Sequence, residues 1–515
     1  MTNFLSLKIN LNINLMKKLF RSLLFVFLVI SKFNGIVSAQ TTPIVLTSFS
    51  TNNNYNAYFN FAVNNTHFID NDEQGNIYVV FVDSIKQLTV MTRDNGNWYT
   101  QVVIAAGMSE TYKNPTIQWN QGKLHVSWFV LTSGNSTIKY AKGNPVSAGN
   151  FNWTISTFAS LPIFAPKYLA MTVPDSTFSP HIGFTEAGDS NARMFVQSGE
   201  SSLSPLTSAY PNWIRSSDIS IASDSNIVAV VWEEHWLVSP PDSRLFFTIS
   251  YDGGNTWSSM QKVLNPDPSF QVGDPSIVIA DSIVYVAFHG SVSSTLSQIH
   301  VARKFPSMTN FELLDFGTLD TGVVGNGWLP NIHAQSQNPD KVVVSWERTD
   351  SAYFNKWEHR VAVAYICNAN QPNPTLILGP ETTSPINDTS LYDLNSNIII
   401  SSDGQTASWV WINIQELTSN SDLIMTLYFQ EDTLNCSTTG IDEIISKEEF
   451  AIYPNPTTNT IHFSSPQTDI SIYNTQGTLV AEFKNETLHI SVDNLPTGTY
   501  FVQTKTGNGK FIKTE

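Results

Sequence analysis

The sequence predicts an all-β chain: repeated four-stranded sheets that close into a ring, followed by a small β-sandwich. Three observations carry this. Strands of alternating apolar and polar residues, Leu245-Phe246-Phe247-Thr248-Ile249 and Val361-Ala362-Val363-Ala364-Tyr365 among them, occur seven times, and a second apolar strand precedes each. The bulky residue near the end of that second strand (Phe81, Trp128, Phe184, Trp232, Phe288, Trp346 and Trp409) recurs at spacings of 47, 56, 48, 56, 58 and 63 residues, the length of a four-stranded blade with variable loops. After Gly440 the repeat stops and a turn-rich segment opens a different set of short strands.

From the N-terminus, residues 1–39 read as a secretory signal. Lys17, Lys18 and Arg21 precede the apolar stretch Leu23 to Ile30, and Val37-Ser38-Ala39 supplies a small-residue cleavage site before Gln40. Met16 reads as the start, and residues 1–15 as a gene-model extension. No later apolar run approaches the roughly 18 residues of a membrane span, so no transmembrane segment is expected in the mature chain.

Residues 40–440 hold the ring. Several units open a further strand at a proline, as in Asn114-Pro115-Thr116-Ile117, Asp274-Pro275-Ser276-Ile277 and Leu329-Pro330-Asn331-Ile332. A missing N–H is tolerable there if proline is the first strand residue. Seven units predict a seven-bladed β-propeller, with six blades as the alternative, since one blade cannot bury both faces alone. The last unit lacks room for a fourth strand, whereas Ile44-Val45-Leu46-Thr47-Ser48-Phe49 stands as an orphan near the mature N-terminus. It is expected to pair there and close the ring.

The chain carries a formal charge of −16. Loss of the signal removes five cations and no acid, which leaves −21. Such a body repels a polyphosphate backbone and no basic stripe offsets this, so nucleic acid is excluded as a partner. The two cysteines, Cys367 and Cys436, have no metal or redox spacing and could pair as a disulfide in an oxidising compartment. No Walker loop, Gly-x-Ser-x-Gly elbow, His-Glu-x-x-His or EF-hand loop occurs, so no cofactor and no metal site is assigned.

The octapeptide Ser250-Tyr251-Asp252-Gly253-Gly254-Asn255-Thr256-Trp257 suits a tight connection between adjacent strands. Asp252 can cap the turn backbone, the glycines permit positive φ, and Trp257 can pack back on the hairpin. Thr92-Arg93-Asp94-Asn95-Gly96-Asn97-Trp98 is a degenerate copy in the first unit. Through Ser250, Asp252, Gly254, Thr256 and Trp257 the octapeptide matches the Asp-box motif, so residues 67–380 resemble the sialidase-like (BNR/Asp-box) β-propellers. That resemblance implies that Asp252 and Asp94 are structural and that any binding pocket lies on the opposite face.

The same family clamps a carboxylate with three arginines, one of them from an Arg-Ile-Pro motif, and uses a Tyr–Glu nucleophile pair with an Asp acid. Arg-Ile-Pro is absent, and among seven mature arginines Arg93 lies in a degenerate turn while Arg193, Arg303 and Arg244 lie in or beside strands. No clamp is assigned, and exo-sialidase activity is disfavoured. Loops after the second strand of each unit share the expected pocket face. Glu233, Glu234, His235 and Glu347 are candidate catalytic residues there, with Trp236, Arg348 and Asp350 as candidate ligand-binding residues. The same residues would also serve as a solvated rim, and His289 and His300 read as rim or packing histidines. Two functions follow. One is a binding module for an extracellular glycan or protein, which the missing catalytic motifs favour. The other is a glycoside hydrolase or polysaccharide lyase.

Residues 441–450 form an acidic connector, and residues 451–515 open with Tyr453-Pro454-Asn455-Pro456. Short strands at Ile470-Ser471-Ile472-Tyr473, Leu488-His489-Ile490-Ser491-Val492 and Tyr500-Phe501-Val502-Gln503 predict a sandwich. With Gly498 in the segment Leu495 to Tyr500 and the closing Gly509-Lys510-Phe511-Ile512-Lys513, this region resembles the type A sorting domain of type IX secretion cargo of Bacteroidetes. The resemblance implies that the type IX machinery reads the domain and that the protein is secreted or held at the cell surface.

Overall fold

A computed structural model describes residues 42–52, 67–105, 107, 109–161, 166–176, 179–186, 194–198, 203–206, 214–236, 242–264, 271–293, 296–314, 325–350, 359–380, 391–416, 422–434, 436, 452–475, 478–485, 487–504 and 508–514. The signal and the acidic connector lie outside them. Among the described residues the regular structure is β throughout, and no helix is long and apolar enough to cross a membrane. The chain separates into two compact units, Met1–Cys436 and Ser437–Glu515.

The described strands of the first unit form seven groups of four, here sheets I to VII in chain order. Their first strands are Ile69–Asn71, Thr111–Asn120, Pro166–Thr172, Ile214–Asp224, Gln271–Ala280, Gly325–Gln335 and Leu391–Ile400. Each lies against the first strand of the next sheet, and Leu391–Ile400 returns to Ile69–Asn71, which makes a closed propeller. Pairing within a sheet is antiparallel, while a single parallel bridge, His359 to Tyr392, links sheets VI and VII.

Sheet VII draws only three strands from its own stretch of chain. Its fourth is Ile44–Asn52, which pairs antiparallel with Asp422–Thr433 from Ile44 opposite Phe429 to Asn52 opposite Asp422. The neighbouring junction of sheet VII with sheet I is held by an ion pair between Arg93 of sheet I and Glu431 of sheet VII, with the Arg93 guanidinium over the Phe429 ring.

Each sheet is covered on both faces by its neighbours, so its second strand reads as a continuous apolar run rather than an alternating one. All six residues of Ile77–Val82 are buried. Trp128, Phe184, Trp232, Phe288 and Trp346 occupy corresponding places in the later sheets and are buried as well; in sheet VII that place falls to the buried Trp411, and Trp409, the residue the sequence spacing picked, is buried two positions earlier. The apolar clusters span neighbouring sheets: one joins Val278 and Tyr285 of sheet V to Ile332 and Trp346 of sheet VI, another Phe129 of sheet II to Phe184 of sheet III.

The prolines of the first strands do not sit where the sequence suggested. Thr111–Asn120, Gln271–Ala280 and Gly325–Gln335 each begin three or more residues earlier, and the proline falls inside the strand at a register shift. The preceding residue takes a positive φ: 49° at Asn114, 47° at Asp274 and 54° at Leu329. A bulge removes the need for a ladder donor, so the missing proline N–H costs nothing there.

The second unit contains two sheets. Ile452–Tyr453, Thr460–Gln467 and Thr487–Ser491 form one; Leu479–Phe483, Ile470–Asn474, Gly498–Gln503 and Asn508–Lys513 form the other. Ile461, Phe463, Ile472, Ile490, Val502 and Phe511 from both sheets make a common core.

Candidate functional site

Among the described residues, one group of carboxylates that could share a cation gathers where the first-strand bulges of sheets IV and V meet the end of a second strand. Asp218 and Asp274 occupy the two bulges with φ of 34° and 47°, a conformation that aspartate tolerates better than most residues. Glu233 follows the core residue Trp232 on Ile227–Trp236, and its Oε2 accepts the Asp274 N–H at 3.3 Å. One carboxylate oxygen from each of Asp218, Glu233 and Asp274 lies within 4.8 Å of the others, an all-oxygen set of the kind that a hard cation prefers.

His289, on the second strand of sheet V, approaches with Nδ1 at 2.9 Å from Asp274 Oδ2. Burial opposes its charge, but Asp274, aided by Glu233, outweighs burial and raises its pKa. Burial and the charges of Asp218, Asp274 and Glu233 raise the pKa of Tyr168, which hydrogen-bonds Asp218 from sheet III. The half-buried Trp328 of sheet VI stands 5.1 Å from the His289 ring, tilted by 52°. Gly273 makes this convergence possible, because a Cβ there would lie 2.7 Å from His289 Cε1 and 2.9 Å from Glu233 Oε1. Four neighbouring sheets thus supply proton carriers, a cluster of negative charge and an aromatic wall.

Of the candidate catalytic and ligand-binding residues chosen from the sequence, Glu233 belongs to this group; His289, read there as a rim or packing histidine, belongs to it as well. Glu234 is buried on the other side of the strand, where its Oε1 accepts the Trp232 indole N–H at 3.1 Å. Glu347 repeats the Glu233 device two sheets on. It follows Trp346, and its Oε1 accepts the N–H of Asn395, the positive-φ bulge residue of sheet VII, at 2.6 Å. Glu233 and Glu347 therefore each tie their own sheet to the bulge of the sheet that follows. Arg348 is half-buried opposite Arg360. The side chains of His235, Trp236 and Asp350 lie outside the described residues. Tyr168, Asp218 and Asp274 were missed because each comes from a different strand; the available sign was Asp274-Pro275, an acid before a proline at a bulge.

The octapeptide connects the third strand Asp242–Ser250 to the fourth strand Gln261–Lys262. Ser250 Oγ donates to Asp252 Oδ1 at 2.7 Å and accepts the Gly254 N–H at 2.8 Å, while Asp252 accepts the Thr256 N–H at 2.8 Å and its hydroxyl at 2.6 Å. These Thr256 and Ser250 bonds hold the Asp252 pKa down at about 2. Trp257 packs on the cluster around Trp232, and Gly253 N–H donates to Asn226 O in the first turn of the sheet at 2.8 Å. That turn is at the opposite end of sheet IV from Asp218 and Glu233. Gly254 has φ of 89°, and a Cβ on it would sit 2.1 Å from Nε2 of the buried His181 on sheet III. Gly254→Ala is expected to cost about 1 to 3 kcal/mol in chemical denaturation. An unchanged midpoint would show that the turn does not need its seat on sheet III.

A cavity of about 220 Å³ is lined by residues from all seven sheets, among them His67, Asp70, Gln118, Thr172, Ser223, Ile279, His333 and Ser402. It lies toward the octapeptide end, and none of the clustered residues lines it.

In the second unit, the segment at Tyr453-Pro454-Asn455-Pro456 is sewn to the last strand. Asn455 Nδ2–H donates to Lys510 O at 3.0 Å, and Ile512 N–H donates to Asn455 Oδ1 at 2.9 Å. The Tyr500 hydroxyl donates to Pro496 O at 2.7 Å, which closes the Leu495 to Tyr500 turn. At Gly498 a Cβ would meet nothing nearer than 3.7 Å, so nothing in the structure explains that glycine. Residues 451–514 match the secretion system C-terminal sorting domain. In this sorting domain the opening and closing segments are bonded to each other.

No curated protein matches the chain. Among solved structures it is similar to polysaccharide lyase Uly1 at 8% identity, covering 77% of this chain and 100% of that one with a TM-score of 0.47. It is similar to a protein of unknown function from Dyadobacter fermentans at 14% identity, covering 64% and 96% with a TM-score of 0.40. The α-L-arabinofuranosidase Arb93A from Fusarium graminearum is similar at 10% identity over 60% and 93%, with a TM-score of 0.41.

Proposed function

We propose that this is a cargo of the type IX secretion system, released or held at the cell surface, whose seven-bladed Asp-box propeller recognises an extracellular glycan or surface protein. Residues 1–39 would be the export signal, residues 40–440 the propeller, residues 441–450 the connector and residues 451–515 the sorting sandwich read by the export machinery. The sorting domain supports the destination. The convergence of Tyr168, Asp218, Glu233, Asp274 and His289 beside Trp328 carries the recognition reading: polar groups that fix orientation stand next to an aromatic surface that suits the apolar face of a sugar ring.

A second reading has its own support. His289 held by Asp274 is a proton-transfer pair, and with a neighbouring carboxylate it would suit a glycoside hydrolase or polysaccharide lyase. A screen of the full chain against host and microbial polysaccharides, following binding together with reducing-end and unsaturated-sugar release, separates the two. Binding without release, weakened about tenfold or more by Asp274→Asn or His289→Ala, is the expected result. Release that vanishes in those variants would make the protein an enzyme. Binding that neither variant alters would place the ligand elsewhere.

A further inference from the structure

The first two strands of sheet II are joined by the two-residue turn Gln121-Gly122, with φ of 50° and 71°. The turn pairs Asn120 with Lys123, so Lys123 opens Lys123–Leu131 and shares a face with His125, two residues on. Lys142, on the third strand Ser136–Ser147, stands directly opposite His125 in register. Opposed residues of an antiparallel pair point to the same side, so both lysines and the buried imidazole belong to one patch.

Together with Asn120, Gln121 and Val173, the residue that follows the first strand of sheet III, these three line a cavity of about 210 Å³. The carboxamide donors are already committed: Asn120 Nδ2–H donates to Val173 O at 2.5 Å and Gln121 Nε2–H to Asp175 O at 2.6 Å. His125 is fixed as well. The Tyr140 hydroxyl lies 2.6 Å from its Nδ1, and burial, reinforced by the Lys142 and Lys123 ammonium groups, holds its pKa down at about 4 against a bond to the Asn120 carbonyl. The imidazole is therefore a neutral floor, and the two ammonium groups are the charges that line the cavity. Both lysines are half-buried. Among the described residues neither forms an ion pair, with the exposed Asp175 or with any other acid. In a chain of 43 acids against 27 lysines and arginines, an acid partner is the ordinary outcome. Two cations partly withdrawn from water around one cavity carry a cost that a bound anion offsets.

We propose that this cavity binds a single phosphate group, free or as the monoester of a sugar unit. Two ammonium groups balance the nearly double negative charge of a phosphate monoester at neutral pH, and lysine meets phosphate as a point charge. At about 210 Å³ the cavity is smaller than the ~300 to 1,000 Å³ of drug-sized ligand sites, so it suits one charged unit rather than a length of polymer. The formal charge of −16 acts in the same sense, since it repels a dense polyanion. The site lies beside the turn between the first two strands, the end of the propeller that also carries the octapeptide, and it does not depend on what the cluster around Asp274 recognises.

Calorimetric titration of the full chain with inorganic phosphate, glucose 6-phosphate and glucose tests this. Phosphate in one or both forms should bind, glucose should not, and added sodium chloride should weaken the binding. Lys123→Met and Lys142→Met keep the packed stem and remove the charge, and each is expected to weaken phosphate binding about tenfold or more. Lys139→Met is the control: Lys139 is on the other face of the same strand, where its ammonium donates to Thr157 Oγ1 at 2.7 Å, and its loss should change nothing. Phosphate should raise the thermal midpoint of the parent chain but not that of the Lys123→Met, Lys142→Met double variant. Without phosphate that variant should melt no lower than the parent, which separates a lost site from a damaged fold. Inorganic phosphate bound as tightly as glucose 6-phosphate would identify the free anion as the occupant, and tighter binding of the ester would identify the sugar phosphate. Equal weakening by Lys139→Met, or no binding of either phosphate at about 10 mM, overturns the proposal.

Discussion

Replacing Cys367 and Cys436 together by alanine is expected to lower the stability of the propeller by about 4 kcal/mol. The two are joined by a disulfide across 69 residues of sequence, and the entropy that a cross-link removes from the unfolded chain grows with the loop it closes. Alanine is the right replacement because Cys367 is 2% exposed, and serine would bury a hydroxyl without a partner. Position adds to the effect. Cys367 ends the third strand of sheet VI, and Cys436 lies just past Asp422–Thr433, the strand on which Ile44–Asn52 closes the ring. The bond therefore anchors the far end of the only sheet assembled from two distant parts of the chain among those described. Denaturant unfolding without reductant should show a lowered midpoint, and limited proteolysis should cut Ile44–Asn52 first. A loss below about 1 kcal/mol would mean that strand pairing alone holds the seam.

Much of the propeller was legible in the sequence because its physics is repetitive. A sheet covered on both faces needs continuous apolar second strands, and a large residue at one place in each of them, Trp232 or Trp346 for instance, fills the wedge between sheets. Both leave a mark at fixed spacing. The lone strand Ile44–Asn52 was legible for a different reason: sheet VII ran out of chain before its fourth strand. What misled was Asn114-Pro115 and its counterparts. Proline reads as a strand boundary on local grounds, whereas the structure uses it inside a bulge, and bulges are set by what the strand must do at the axis rather than by local propensity.

The candidate site was only partly legible. Glu233 stood out because it follows Trp232 in a run of polar residues, and Glu347 for the same reason after Trp346. Sequence cannot tell that one of them reaches an aspartate in the next sheet while the other reaches Asn395. His289 was read as a rim residue since no partner lies near it in the chain. Its partner, Asp274, comes from the neighbouring strand across the register shift, a pairing that exists only once the sheet has formed.

Acidification exposes a separate liability, carried by histidines buried without charge. Burial holds His67, His125 and His300 down at about 4 and His333 at about 3, and it lowers His181 as well. His333 also shows its neutrality by geometry: its Nδ1 accepts the Ile400 N–H at 3.1 Å, which a protonated nitrogen could not do. Below the ordinary histidine value of 6.5, the unfolded chain binds protons that the folded one refuses, so stability present above pH 6.5 is lost as pH falls toward 4. Asp70 works the other way. Burial, only partly offset by the Trp119 and Asn71 amides, lifts it to about 7, so between 3.8 and 7 the folded chain keeps a proton that the unfolded one releases. His289, raised, acts in the same sense as Asp70. With the lowered histidines in the majority, the net slope near pH 5 is on the order of 4 kcal/mol per pH unit. Against a total of about 5 to 15 kcal/mol, that is enough to unfold the propeller before pH 4. Thermal midpoints should fall steeply from pH 6 to pH 4, and His333→Gln should flatten the slope by about 1.4 kcal/mol per unit. A midpoint that holds level down to pH 5 would mean that these imidazoles accept protons inside the folded ring, those of His67 and His333 with the help of the cavity that they line.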